Sequence, residues 1–239
     1  MHQLFSIVIL LVILINSTSI AQNSTYHKDA IQLAARLTTD KATSSISEHL
    51  IYSIEDALVA VSEDPSIAAN AVTYRYDIHA SEIANVSNIR IIIGKESDWG
   101  KDLSQNPIQR TFPAYDLKLE VVETTDAYIV LDASSTKPLN MRFVANEISI
   151  LDGVWMVELP GGSSTDSDIK LRVVEEGYII TYSYQTGDCL GSCDEVHYWE
   201  FGVEHNGNVT FLGEHGADLA ANSNRTEEDF FTQLDALRP

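Results

Sequence analysis

Basic side chains are scarce in this sequence: 15 lysines and arginines stand against 35 aspartates and glutamates in 239 residues, a formal net charge of −20. Such a chain repels phosphate backbones and anionic lipid surfaces, which argues against nucleic-acid and membrane partners. Basic proteins, cationic ligands and Ca²⁺ remain compatible with that field, and so does plain solubility. Cysteine is scarcer still. Only Cys189 and Cys193 occur, too few for a disulfide framework. No apolar run of about 18 residues follows the N-terminal one, so no membrane insertion of the mature chain is expected. The sequence also lacks a Gly-x-Ser-x-Gly elbow and a His-Glu-x-x-His helix, leaving serine-hydrolase and zinc-peptidase chemistry without support. No catalytic residue and no cofactor are implied.

What is present begins with an almost unbroken apolar run, Leu4 to Ile15, followed by the small-residue site Ser19-Ile20-Ala21. This reads as a secretory leader over residues 1–21, cleaved near Ala21, and it predicts a secreted or periplasmic protein. About 218 residues then remain, enough for one large domain or two small ones.

Tyr26 to Leu37 has an Ala-rich apolar stripe, and Leu50, Ile51, Ile54, Ala57, Leu58 and Val61 recur at helical spacing before Asp64-Pro65 stops them. From Thr73 the pattern turns to strands: Ile89 to Ile93, Leu117 to Val122, Tyr128 to Leu131, then a helix opened by Lys137-Pro138 and a strand from Gly153 to Leu159. The Gly- and Ser-rich stretch Pro160 to Asp168 is the best internal boundary. Beyond it lie strands at Ile169 to Val174, Tyr178 to Tyr184, His197 to Glu204 and Val209 to Leu212, then a terminal helix from Glu227 to Leu237. Asn206-Gly207 predicts a two-residue hairpin turn, which would set Phe211 opposite Gly202. The expected fold is α+β: N-terminal helices packed on a mixed or antiparallel sheet, then a C-terminal antiparallel β-meander. The expected regions are 22–160 and 161–239, with one continuous domain 22–239 as the alternative.

The densest polar constellation runs from Gly187 to Phe201. In an oxidising compartment Cys189 and Cys193 are expected to pair, closing a five-residue loop that stabilises by only about 2 kcal/mol. The competing reading is a metal site of Cys189, Cys193 and His197, with His205 or His215 as fourth ligand. Asp166 and Asp168 resemble half of a Ca²⁺ loop, though a solvated acidic turn explains them as well. Trp99, Trp199, Tyr182 and Tyr184 are candidates to line a groove for a protein, peptide or glycan, and cross-strand core packing is the alternative. Trp155 belongs to the same aromatic set.

Several segments in order resemble a group of exported proteins from Bacteroidetes-type bacteria: Asp29-Ala30 with Leu33-Ala34-Ala35-Arg36, Tyr76-Asp77-Ile78-His79, Gly187-Asp188-Cys189, and Gly191-Ser192-Cys193 before His197-Tyr198-Trp199-Glu200-Phe201. That resemblance implies a compartment and carries no activity or ligand. Some relatives bear a C-terminal sorting module that is expected to be missing here, which leaves periplasm and exterior both open. Pro138 to Pro160 also looks like the second half of the inhibitor-type propeptide of subtilisin-like proteases, a ferredoxin-like unit. The function expected is a non-enzymatic exported binding protein, with a protease inhibitor or chaperone-like module next and an extracellular hydrolase third.

Overall fold

A computed structural model describes residues 25–82, 86–161, 167–185 and 195–219. The leader, Cys189, Cys193, Asp166 and the expected terminal helix lie outside the described residues. The chain is an α+β protein whose strands form two four-stranded antiparallel sheets. It divides into two compact units, residues 1–54 with 82–164, and residues 55–81 with 165–239. Among the described residues no helix is long and apolar enough to cross a membrane.

In the first unit, helix α1 spans residues 25–38 and buries Ala30, Leu33, Ala34 and Ala35. Thr38 ends it by turning its hydroxyl back onto the Ala34 carbonyl, 2.9 Å away. Helix α2 (Glu48–Glu63) starts at Ser47, whose hydroxyl accepts from the Leu50 amide. The chain passes into the second unit within α2, after Ile54. Short helix α3 (Ile67–Asn70) follows Pro65 and is capped by Ser66.

The sheet of the first unit contains β1 (Asn88–Gly94), β2 (Lys118–Thr124), β3 (Tyr128–Ser134) and β4 (Val154–Glu158), in the spatial order β2-β3-β1-β4. Short helices α4 (Asp98–Lys101) and α5 (Pro107–Thr111) join β1 to β2, and α6 (Met141–Ser149) joins β3 to β4. This is the strand order and connectivity of a split βαβ, ferredoxin-like unit. Ile89, Ile91 and Ile93 on β1 are fully buried and meet Leu131, Met141, Val144 and Ile148 in one core. Each such isoleucine contributes about 1.5–3 kcal/mol.

Helix α6 starts later than Lys137-Pro138 suggests. The amides of Leu139 and Asn140 donate to the carbonyls of Val86 and Ser44, both at 2.8 Å, so they belong to extended chain and not to a first helical turn. Asn140 then caps the helix, its Oδ1 accepting from the Phe143 amide at 3.3 Å while its Nδ2 donates to the Thr38 carbonyl at 2.7 Å.

In the second unit, β5 (Ser167–Val174), β6 (Gly177–Gln185), β7 (Val196–Glu204) and β8 (Val209–Gly216) pair in sequence order. The expected two-residue turn is not what joins β7 to β8. Val203 pairs with Val209, and Glu204 and Asn208 close a three-residue loop in which Gly207 takes φ +87°. That is a type I turn relaxed by a left-handed glycine. That loop length sets Phe211 opposite Phe201; the register shift beyond it leaves Leu212 as the extra residue of a bulge on β8, and Leu212 is the side chain beside Gly202.

Because Asn140 is buried and serves both ends of its contact, replacing it should destabilise the first unit. Asn140→Ala loses a cap worth about 1 kcal/mol and the Nδ2 hydrogen bond to the Thr38 carbonyl, which keeps the Lys41 amide as donor at 2.9 Å, so the further cost is about 0.5–1.5 kcal/mol. Asn140→Asp keeps the cap but sets a carboxylate against the Thr38 carbonyl, and should cost at least as much. Urea midpoints of the two variants check this.

Candidate binding surface

The pleat of β1 divides the first sheet into two unlike faces. Its isoleucines point to the core, so Arg90, Ile92 and Gly94 lie on the opposite face with Tyr128, Val130 and Asp132 of β3 and Met156 and Glu158 of β4. Trp155 joins them through an irregularity. Met156 pairs with Ile92 but Val154 pairs with Ile93, leaving Trp155 as the extra residue of a β-bulge. Bulges redirect side chains in this way.

Gly94 makes room for the redirected indole. A Cβ at Gly94 would stand 2.5 Å from Trp155 Nε1, so only a glycine lets the ring settle there. Tyr128, paired with Gly94, packs at a tilt against Trp155 with ring centroids 6.2 Å apart. Trp155 is nevertheless 61% exposed, and Met156 47%. Val122, the extra residue of a second bulge on β2, is 51% exposed. The next row is charged: Glu158, Arg90, Asp132 and Glu120 pair in succession across the sheet. Arg90 Nε donates to Asp132 at 2.9 Å, which holds the guanidinium above its usual range. The surface is thus an ordered aromatic and apolar patch with an acidic rim.

The aromatic residues singled out in the sequence are mostly elsewhere. Trp199 and Tyr182 are buried, at 1% and 4% exposure, and so belong to the core and not to an open groove, while Trp99, at 3%, packs in the core of the first unit and also lines a cavity beside α4 and α5. Tyr184 is half-buried, and Tyr76 packs on it and on Trp199 at centroid distances of 4.8 and 5.3 Å. Burial pushes the Tyr76 hydroxyl above the usual tyrosine range; Arg75 opposes this, and Tyr184 and Glu214 add to it. The exposed tryptophan is Trp155, which alternation alone places no better than its neighbours.

His197 is buried at the β7–β8 border. Its Nδ1 lies 2.7 Å from the Ala217 carbonyl, which can only accept, so Nδ1 carries the hydrogen. Its Nε2 faces the Glu214 carboxylate at 3.6 Å. The cysteines proposed beside it as metal ligands lie outside the described residues, and so does Asp166. Asp168 serves the fold: its Oδ1 accepts from both the amide and the hydroxyl of Ser81, at 2.9 and 2.8 Å. Among the described residues no group of three or more His, Cys, Asp and Glu side chains is gathered as a metal site would require.

Comparison of the chain with family models, with curated proteins and with solved structures found no match.

Gly94→Ala should displace the Trp155 ring without unfolding the sheet, since the clash is with an exposed side chain able to rotate. Trp99 and Trp199 are buried, so acrylamide quenching reports Trp155, and it should rise in this variant while the urea midpoint changes little. For Tyr76, the raised hydroxyl pKa means that the folded state holds its proton longer. Its contribution is present below about pH 10 and is lost as pH rises through the raised value. Tyr76→Phe should therefore show a smaller fall in melting temperature between about pH 9 and 11 than the parent chain.

Proposed function

We propose that the chain is an exported, non-enzymatic interaction protein that binds a protein partner on the open face of its first sheet. The observation that carries this reading is Trp155, largely exposed yet seated on Gly94 and against Tyr128. A pre-positioned indole offers a large contact area at little entropic cost, which is why tryptophan dominates binding hot spots. Glu120, Glu123 and Glu158 near the patch, on a chain of net charge −20, favour a partner with an apolar centre and a basic rim. Export is supported by the leader-like Leu4 to Ile15 run and by the resemblance to exported bacterial proteins; periplasm and exterior fit equally.

A second reading is favoured by one specific observation. The β1 to β4 segment has the ferredoxin-like order, and Pro138 to Pro160, within it, resembles an inhibitor-type propeptide. On that reading the same face engages a subtilisin-like protease.

The test is affinity capture from the periplasmic and extracellular fractions of the producing cells, with Trp155→Ala and Met156→Ala compared with the exposed control Tyr74→Ala. Loss of Trp155 should weaken capture by about thirtyfold, as for a hot-spot residue, and added salt should weaken it further. Inhibition of a subtilisin-like protease that disappears in Trp155→Ala would select the second reading. Capture that survives Trp155→Ala unchanged overturns the assignment of this face.

A further inference from the structure

We infer that Met156 is a modification site, oxidised to its sulfoxide by peroxides, and that the added oxygen closes the open face of the first sheet to its partner. The consequence for binding rests on the reading of that face given above; the chemistry at sulfur does not.

The chain has three methionines, Met1, Met141 and Met156. Met1 belongs to the expected leader, and the fold treats the other two in opposite ways. Met141 opens α6 and is fully buried, at 0% exposure, in the core that holds Ile89, Leu131 and Val144. Met156 is 47% exposed.

The place of Met156 follows from the register of the strands. It pairs with Ile92, and Ile92 pairs with Val130, which makes one apolar row across β4, β1 and β3. Val130 is buried and Ile92 half-buried, so the row opens to solvent at its β4 end. Because β4 is an edge of the sheet, no further strand among the described residues covers that end. On one side of the row stands the Trp155 indole against Gly94, and on the other the charged row that begins with Glu158 and Arg90. Met156 is thus both an accessible thioether and a central part of the apolar patch. Thioethers suit adaptable binding surfaces because they are apolar, polarizable and flexible.

Oxidation reverses the first of those properties. A sulfur lone pair attacks one oxygen of hydrogen peroxide, the O–O bond breaks, and the second oxygen leaves as water with both peroxide hydrogens. Sulfur gives up two electrons and the peroxide takes them. Export, as proposed above, places the side chain where such oxidants reach it, and exposure sets which methionine reacts. The product is a polar side chain with a strong acceptor oxygen, while its neighbours in the row, Ile92 and Val130, have no side-chain donor to offer it. A partner that covers the patch then has to bury that oxygen unpaired.

The experiment treats purified mature protein with dilute hydrogen peroxide, with and without urea, and locates the added oxygen by tandem mass spectrometry of its peptides. In the folded chain Met156 should gain one oxygen roughly tenfold faster than Met141, and in urea the two should react alike. Equal rates in the folded chain, or an oxygen placed on Trp155 in its stead, would overturn the site. Peroxide is then removed and the oxidised protein serves as bait in the capture from periplasmic and extracellular fractions. Capture should weaken about tenfold, the cost of burying one unpaired polar group, and methionine sulfoxide reductases should restore it. Peroxide-treated Met156→Leu, apolar and without sulfur, should capture as it does untreated. Capture that is lost in Trp155→Ala but kept by the sulfoxide overturns the switch alone; capture indifferent to both removes the face and the switch together.

Discussion

The interior position of β1 is the constraint on which the first unit depends. A strand paired on both edges has no free backbone to place, so its pleat alone decides what lies above and below the sheet. Ile89, Ile91 and Ile93 take one face and nucleate the core with α6; Arg90, Ile92 and Gly94 take the other and found the open surface. Shifting β1 by one residue would bury Arg90 and expose three isoleucines, so the register is strongly specified. Core and surface are two sides of one choice.

The edges use the freedom that the centre lacks. Both β2 and β4 carry a bulge against their inner neighbours, and at each bulge an apolar side chain, Val122 or Trp155, is left without a register partner. On β4 the displaced residue finds the bare backbone of Gly94, so an irregularity that would otherwise weaken an edge becomes an ordered exposed indole. The nearby Arg90–Asp132 pair is close to half exposed, so water and salt screen it and it adds little to stability. Its consequence is rather to bound the apolar patch with charge.

Much of this architecture is legible in the residues. The 3.6-residue period of Ile51, Ile54, Leu58 and Val61 and the period of two through Tyr178, Ile180 and Tyr182 report local geometry, and local geometry holds at those places. What is not legible depends on distant partners. The start of α6 follows from amides that reach Val86 and Ser44, which Pro138 does not reveal. The register of β8 follows from the length of the loop before it and from the bulge at Leu212, and Asn206-Gly207 specifies a turn without specifying its length. The aromatic residues show the same limit more sharply. Alternation assigns Trp199 and Trp155 to faces of strands, but which face is covered is decided by other segments, so the buried Trp199 and the exposed Trp155 look alike in the sequence.

An exposed tryptophan and methionine on an open sheet ordinarily invite self-association, because an identical patch on a second copy is always available. The acid excess changes that balance. Two copies approaching face to face would bring together Glu120, Glu123 and Glu158 of each, on bodies that each carry −20, and the repulsion grows as the apolar contact closes. A basic partner meets the same patch with attraction. On the proposed reading, the composition that at first suggests only solubility would act as a filter, disfavouring a second copy on the apolar face and favouring, by charge, a basic partner there.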